Sequence, residues 1–252
     1  MFNIRDPIFS VINIFTVKSL SKYKNKYDGS CFIIGDGPSI KDQDLSILEN
    51  CNTFVTNRFV LNKYIRFFKK CNYCISDPAF LKENNKHILE NIFSLLRVNS
   101  GLQLFVSNRY VTNFWFMNNT LFESTNFVFF RKQKTVYNLK TIEVNPKYGF
   151  YYANTIILDV CIPLAFYMGF KKIYLLGCES NYSQKSTHFY GSNNNVKKSA
   201  KDLSRNEWYK IVNQSYGYAS DYFSSHGREI IDCSANSKIT TLPKQKFSSI
   251  KF

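Results

Sequence analysis

The apolar run Cys31-Phe-Ile-Ile34 ends abruptly in Gly35-Asp36-Gly37-Pro38-Ser39, and a short helical pattern follows. A buried strand that breaks into a glycine-containing turn and then a helix is the usual opening of a nucleotide-binding α/β domain. Gly35 and Gly37 can take φ > 0 and let a phosphate or ribose approach the backbone. Pro38 stops the strand and pre-sets φ for the next helix. Ser39 is a candidate cap for that helix, whose free N–H groups favour an anion. No third glycine sits three residues after Gly37, so this is not the dinucleotide fingerprint, and no Gly-Lys-Ser/Thr makes it a P-loop. A tight strand-to-helix turn with no ligand explains these five residues equally well.

The rest of the chain repeats the alternation. Strands are expected at 30–34, Thr53–Thr56, Asn72–Ser76, Leu102–Val106, Ile173–Leu176 and Glu229–Asp232. Helices are expected at Asp44–Glu49, Phe80–Leu96, Thr155–Tyr167 and Glu207–Phe223, from their 3.6-residue apolar spacing. His87 falls with Ile88, Ile92, Leu95 and Leu96 near one face of the second of these helices, and Trp208, Ile211, Val212, Tyr216, Ala219, Tyr222 and Phe223 form the inward stripe of the last. Phe127–Phe130 and Thr141–Val144 read as strands of a lid or subdomain, and 183–200 as a mobile polar loop. The fold class is therefore α/β, a Rossmann-like domain with a mostly parallel sheet and helices on both faces. Ligands of such sheets lie outside the carboxyl ends of the strands. The polar residues at those ends are Asp36, Asn57, Arg58, Asp77, Glu179, Asn181, Ser234 and Asn236.

The 252 residues are enough for one large domain, expected over 29–252, with 1–28 as an N-terminal helix. The net charge of +15 attracts nucleic acid, anionic lipid or anionic small substrates. No nucleic-acid-binding signature appears, so nucleic acid is not an expected partner. Phe and Tyr are abundant, a bias that an AT-rich genome would also produce. The seven cysteines are odd in number and scattered, which points to a reducing, cytoplasmic compartment. Cys71-Asn-Tyr-Cys74 is a lone pair and reads as structural. No run approaches the roughly 18 apolar residues that a membrane span needs. The apolar stretch from Pro7 to Val17 reads either as a helix packed on the domain or as one lying in an anionic membrane surface.

Four segments in order carry a family resemblance: Ile34-Gly-Asp-Gly-Pro-Ser39, Thr56-Asn-Arg-Phe59, Tyr167-Met-Gly-Phe-Lys-Lys-Ile-Tyr-Leu-Leu-Gly177 and Cys233-Ser-Ala-Asn-Ser-Lys238. Over residues 30–240 the chain resembles the bacterial family 42 sialyltransferases. It also resembles the related group of motility-accessory glycosyltransferases and the archaeal hydroxymethylpterin diphosphokinase. The first resemblance implies a GT-A-like variant of the α/β fold with a flexible lid and no required metal or cofactor. It implies inverting transfer of sialic acid from CMP-sialic acid to a galactose-type acceptor. It carries Asn57 onto the family's donor-facing Asn and places Arg58 where the family has Gln. Asp36 and Asp77 stand where the family has Asn. Glu179 and Tyr182 match its acidic residue and following tyrosine, with Tyr190 as a second tyrosine. His188 lies only six residues past Tyr182, closer to the pattern of the wider related group.

Inverting glycosyl transfer needs a base for the acceptor hydroxyl, stabilisation of the leaving phosphate, and exclusion of water. Of three histidines, His87 sits in an apolar helix and His226 precedes Gly227 in a turn, which leaves His188 as the candidate base. Tyr182 and Tyr190 are candidate proton donors to the phosphate, with Lys185 or Arg58 adding charge. Asn154 and Thr155 begin a helix that faces the expected site, and Gly177 ends the strand before Glu179. Asp159 reads as a structural pairing within that helix. No Asp-x-Asp motif is present.

The expected activity is transfer of a CMP-activated sialic-acid-like sugar to a surface glycan or glycolipid, at the inner face of the cell membrane. A homo-oligomer is compatible with this. The competing readings are a Mg²⁺- and ATP-dependent diphosphokinase, a transferase using another nucleotide sugar, and a non-enzymatic basic scaffold.

Overall fold

Short runs such as Phe32-Ile-Ile34 and Tyr73-Cys-Ile75 place apolar side chains on both faces of a strand, and such a strand is stable only with a layer on each side. The computed structural model describes residues 20–77, 85–107, 127–130, 142–145, 155–180, 188–191 and 205–252. These hold β1 (Ser30–Ile34), β2 (Asn52–Thr56), β3 (Lys70–Ile75), β4 (Leu102–Ser107), β5 (Phe127–Phe130), β6 (Lys172–Leu176) and β7 (Glu229–Asp232). In β1 and β3 only the first residue is exposed and all that follow are buried. The seven strands form one sheet in the order β5-β4-β3-β2-β1-β6-β7, and every pairing is parallel.

The helices are α1 (Lys86–Val98), α2 (Ile162–Met168) and α3 (Arg205–Ser224). Consecutive strand residues point to opposite faces, so Ile33 and Ile34 enter different cores. Ile33, Phe54, Cys74 and Phe105 pack with α2 and α3. Phe32, Ile34, Val55 and Tyr73 pack with α1 and with short 3₁₀ turns. Both Cys71 and Cys74 are buried, and no cysteine is paired in a disulfide. Among the described residues no helix is long and apolar enough to cross a membrane.

Several expected elements differ in detail. The helix expected over Asp44–Glu49 is only a 3₁₀ turn, Ser46–Leu48. The Asp44 carboxylate accepts hydrogen bonds from both the Ser46 N–H (3.0 Å) and hydroxyl (2.6 Å), local bonding that competes with a helix. Residues 142–145 are not a strand, contrary to the expectation for Thr141–Val144, and the Glu143 carboxylate accepts the Asn145 N–H. His87 is exposed rather than on the buried face of α1.

The helix expected from Thr155 has a different first half. Ile157–Cys161 is a π turn, in which the Ile162 N–H donates to the Ile157 carbonyl five residues back. Pro163 follows immediately and has no N–H to donate, so regular α bonding cannot begin there. Gly169 ends α2 in the left-handed conformation (φ 101°), where a Cβ would stand 2.2 Å from the Tyr27 carbonyl oxygen.

Candidate functional site

The chain runs outward from β1 to β5 and then returns to place β6 on the other flank of β1. The carboxyl ends of β1 and β6 therefore lie side by side at the point where the strand order reverses, the position at which open α/β sheets bind ligands. The turns that leave these strands are bonded together. The Gly35 N–H donates to the Leu176 carbonyl (2.8 Å) and the Gly37 N–H to the Gly177 carbonyl (2.9 Å).

This contact explains the two glycines, and not for the reason the sequence suggested. Gly37 has φ −64° and ψ 157°, an ordinary extended conformation, and Gly35 also lacks a positive φ. A Cβ on Gly35 would stand 2.5 Å from the Gly177 carbonyl oxygen, and one on Gly37 would stand 1.5 Å from a Glu179 carboxylate oxygen. Left-handed backbone occurs instead at Asn57 (φ 49°), Gly177 (62°), Ser180 (50°) and Asn236 (57°).

Ser39 is not the expected cap either. Gly37 occupies the cap position of a five-residue 3₁₀ turn, Pro38–Asp42, which is too short for a helix-dipole anion site. The Ser39 N–H donates to Glu179 (2.9 Å), and its buried hydroxyl has no hydrogen-bond partner among the described residues. Glu179 is 5 % exposed, so the β1 turn and the β6 turn close on one buried carboxylate.

A cleft of about 190 Å³ opens at this junction. Residues 35–38 and 177–180 form one side, Thr56 and Asn57 extend it from β2, and 155–157, His188 and Tyr216 complete it. Thr56, Ile156, Ile157, Cys178, Ser180 and Tyr216 were not expected there. Cys178 and Ser180 flank the expected Glu179, so proximity in sequence was the available signal. Tyr216 lies on the inward stripe of α3, which does not distinguish cleft from core.

Asp36 is 8 % exposed on this wall. One of its oxygens accepts a long hydrogen bond from the Arg58 N–H (3.4 Å), and the other has no partner among the described residues. Burial pushes its carboxyl up from 3.8 to about 8, against the opposing pull of the Arg58 N–H and charge. Asp36 is thus a neutral acid near pH 7. The Arg58 guanidinium donates to Asn85 (2.7 Å) and lies 5.5 Å from the centre of the Tyr190 ring. Asn57 turns the chain and its carbonyl accepts the Tyr73 hydroxyl (2.6 Å), while its side-chain oxygen is buried without a hydrogen-bond partner among the described residues.

His188 is held against the β1 turn. The Phe189 N–H donates to the Asp36 carbonyl (2.8 Å), and the Gly191 N–H closes a tight turn onto His188 (3.1 Å). Phe189 is buried edge-on against Phe59, and the His188 and Tyr190 rings stack 4.9 Å apart at 11°. Burial lowers the His188 pKa, the nearby Arg58 charge lowers it further, and a hydrogen bond with the Asp36 backbone opposes both. Burial raises the Tyr190 pKa, with the Asp36 and Asp77 charges adding to it, so the phenol stays protonated.

Other expected residues lie further away or are otherwise engaged. The Thr155 hydroxyl lines the cleft but accepts the Leu158 N–H (3.1 Å). The Ser234 hydroxyl accepts the Cys178 N–H (2.9 Å), which pins the β6 turn from behind. Asp77 is exposed at the end of β3, and Asn236 is exposed and not on the cleft wall. Asp159 is buried within the π turn. Asn154, Asn181, Tyr182, Lys185 and most of the expected 183–200 lid lie outside the described residues. Among the described residues no cluster of His, Cys, Asp or Glu could hold a metal ion.

No protein-family description matches the chain, and no curated protein matches it. Among solved structures it is similar to the sialyltransferase CST-II, determined in complex with a trisaccharide acceptor and CMP. That likeness has 17 % sequence identity, covers 88 % of this chain and 88 % of that one, and has a TM-score of 0.47.

Proposed function

We propose that the protein is an inverting glycosyltransferase that moves a sialic-acid-like sugar from a CMP-activated donor to a glycan acceptor, with no metal. The observation that carries this reading is the placement of His188. The turn that bears it is bonded to Asp36, directly beside the glycine turn at the switch point. In this reading the glycine turn takes the nucleotide and His188, on the same cleft wall, serves as the base. The resemblance over residues 30–240 supplies the donor class.

In the proposed step the acceptor hydroxyl oxygen bonds to the anomeric carbon while the bond from that carbon to the CMP phosphate oxygen breaks. The leaving oxygen keeps the electron pair, and the hydroxyl proton passes to His188. A lowered pKa keeps this imidazole neutral and able to accept at pH 7. Tyr190, and Tyr182 by the same resemblance, donate phenolic protons toward the leaving phosphate. Neutral Asp36 offers a hydrogen-bond donor and an acceptor, as the family's Asn does, and does not repel the phosphate. Asn57 and the backbone of 35–37 hold the nucleotide, and Thr155, Gly177 and Glu179 shape the cradle. The acceptor belongs to a lipooligosaccharide or capsule, and the enzyme works at the cytoplasmic membrane face, where its positive charge meets anionic lipid.

The test is transfer from CMP-sialic acid to lactose, with and without EDTA. Transfer that survives EDTA and falls about 10²–10⁴-fold in a folded His188→Ala variant is the expected result. Absence of transfer, or an unaffected variant, would overturn the reading.

A further inference from the structure

The cleft at the switch point is lined by two acidic residues, Asp36 and Glu179, and by no Lys or Arg among the described residues. A surplus of cations stands instead at the opposite, amino edge of the sheet. A recess of about 390 Å³ at the starts of β2, β3 and β4 is lined by Lys22, Lys26, Lys69 and Lys70. A second recess, of about 710 Å³, lies between the end of α1 and the connection that enters β3, and it shares Lys69 with the first. Arg66 adds a fifth cation there. Glu49, paired with Lys69 (2.7 Å), is the only carboxylate among the described residues of either wall. Lys22 and Lys26 both lie over the Tyr23 ring, 5.1 and 5.6 Å from its centre, which holds their charges together.

Two apolar side chains stand in water beside these cations. Phe67 is 52 % exposed and Val98 is 82 % exposed, both on the wall of the second recess. One exposed apolar residue is ordinary, but these two share a ledge with Arg66 and Lys69, and the exposed Arg97 adjoins Val98. The ledge is preformed. The Asn99 amide donates to the Phe68 carbonyl (3.0 Å) and its side-chain oxygen accepts the Gly101 N–H (3.0 Å), which ties the end of α1 to the connection bearing Phe67. A Cβ on Gly101 would stand 1.7 Å from the Lys69 carbonyl oxygen, so the two segments pack backbone to backbone.

Cations set around apolar side chains match the boundary of an anionic bilayer, where lysines meet headgroup phosphates and apolar groups reach the acyl chains. A nucleic acid would use the charges and leave Phe67 and Val98 in water. We infer that the amino edge of the sheet docks on an anionic lipid bilayer, with Lys22, Lys26 and Lys70 on the headgroups and Phe67 and Val98 inserted at their boundary. The cleft, at the other end of the strands, then opens away from the bilayer. The setting at the cell membrane rests on the transferase reading above, whereas affinity for lipid does not.

The experiment is cosedimentation of the full chain, at physiological salt, with vesicles of phosphatidylcholine alone and of phosphatidylcholine mixed with phosphatidylglycerol. One variant carries Lys22→Glu and Lys26→Glu, and another Phe67→Ser. A control carries Lys238→Glu and Lys246→Glu, the same change of charge at exposed positions near the carboxyl edge. Binding to the mixed vesicles alone is the expected result. It should weaken about tenfold or more in each of the first two variants, once circular dichroism shows them folded, and stay within about twofold in the control and in saturating CMP. Failure to bind the mixed vesicles, equal loss in the control, indifference to Phe67→Ser, or release by CMP would overturn the inference. So would duplex DNA that binds as tightly as the mixed vesicles and is unaffected by Phe67→Ser. If the vesicles bind as expected and CMP-sialic acid yields no transfer, the docking face stands and the transferase reading fails. Transfer by a protein that ignores the mixed vesicles gives the reverse.

Discussion

Asp36 shows how far one side chain's chemistry departs from its type. Its carboxyl binds a proton in the folded chain up to about pH 8 but releases it near 3.8 when unfolded. The raised pKa therefore contributes stability that is complete below about pH 4 and is lost as pH rises through 8. An Asp36→Asn variant has no such proton to lose. Its stability relative to the native chain is expected to rise between pH 4 and 8, by up to a few kcal/mol, and to level off above that. Urea unfolding of both proteins across this range checks it. His188 moves the opposite way. With its pKa lowered, the acid limb of the pH–rate profile is expected below 6.5, and initial rates from pH 5 to 8 would show it.

The element scale is where sequence was most and least legible. The carboxyl ends of strands could be read because each closes in turn residues: Gly35-Asp36 after β1, Asn57-Arg58 after β2, Gly177 after β6. Their amino ends were read one or two residues late at β2, β3 and β6, since the half-buried Asn52 and Lys172 and the exposed Lys70 are polar positions that carry no apolar signal. The order of strands, and so the meeting of the β1 and β6 turns, is not written in any local pattern. The pressing of Glu179 against Gly37 links residues far apart in the chain, so the purpose of that glycine was misread as a φ requirement. Gly37→Ala is expected to separate Glu179 from the Ser39 N–H and to destabilise the fold by about 1–3 kcal/mol. Gly29→Ala, whose Cβ would meet nothing within 4 Å, is expected to be near neutral. Denaturant midpoints of the two variants separate these outcomes.

At the scale of the whole molecule, the site sits at one end of a sheet whose other end carries a different surface. Lys22, Lys26, Lys69 and Lys70 gather at the amino edge, and the cleft opens at the carboxyl edge. A ligand that binds only the native state raises the melting temperature. CMP is therefore expected to do so, and to slow amide exchange at 35–39 and 177–180. Amides at the amino edge around Gly101 are expected to exchange at unchanged rates. Mass-spectrometric exchange with and without CMP checks this, and equal protection at both edges would contradict it.

The π turn at Ile157–Cys161 has a consequence for how the chain tolerates change in length. A π turn holds one residue more than the α turn it replaces, so this helix behaves as though a single residue had been spliced into it. Deleting one residue there would let the helix close regularly and so would be absorbed locally. It would also swing the segment before it by about 100°, the angle between successive residues of an α-helix. Thr155 and Ile156 would leave the cleft while α2 stayed packed, so the deletion would remove part of the site without removing the fold.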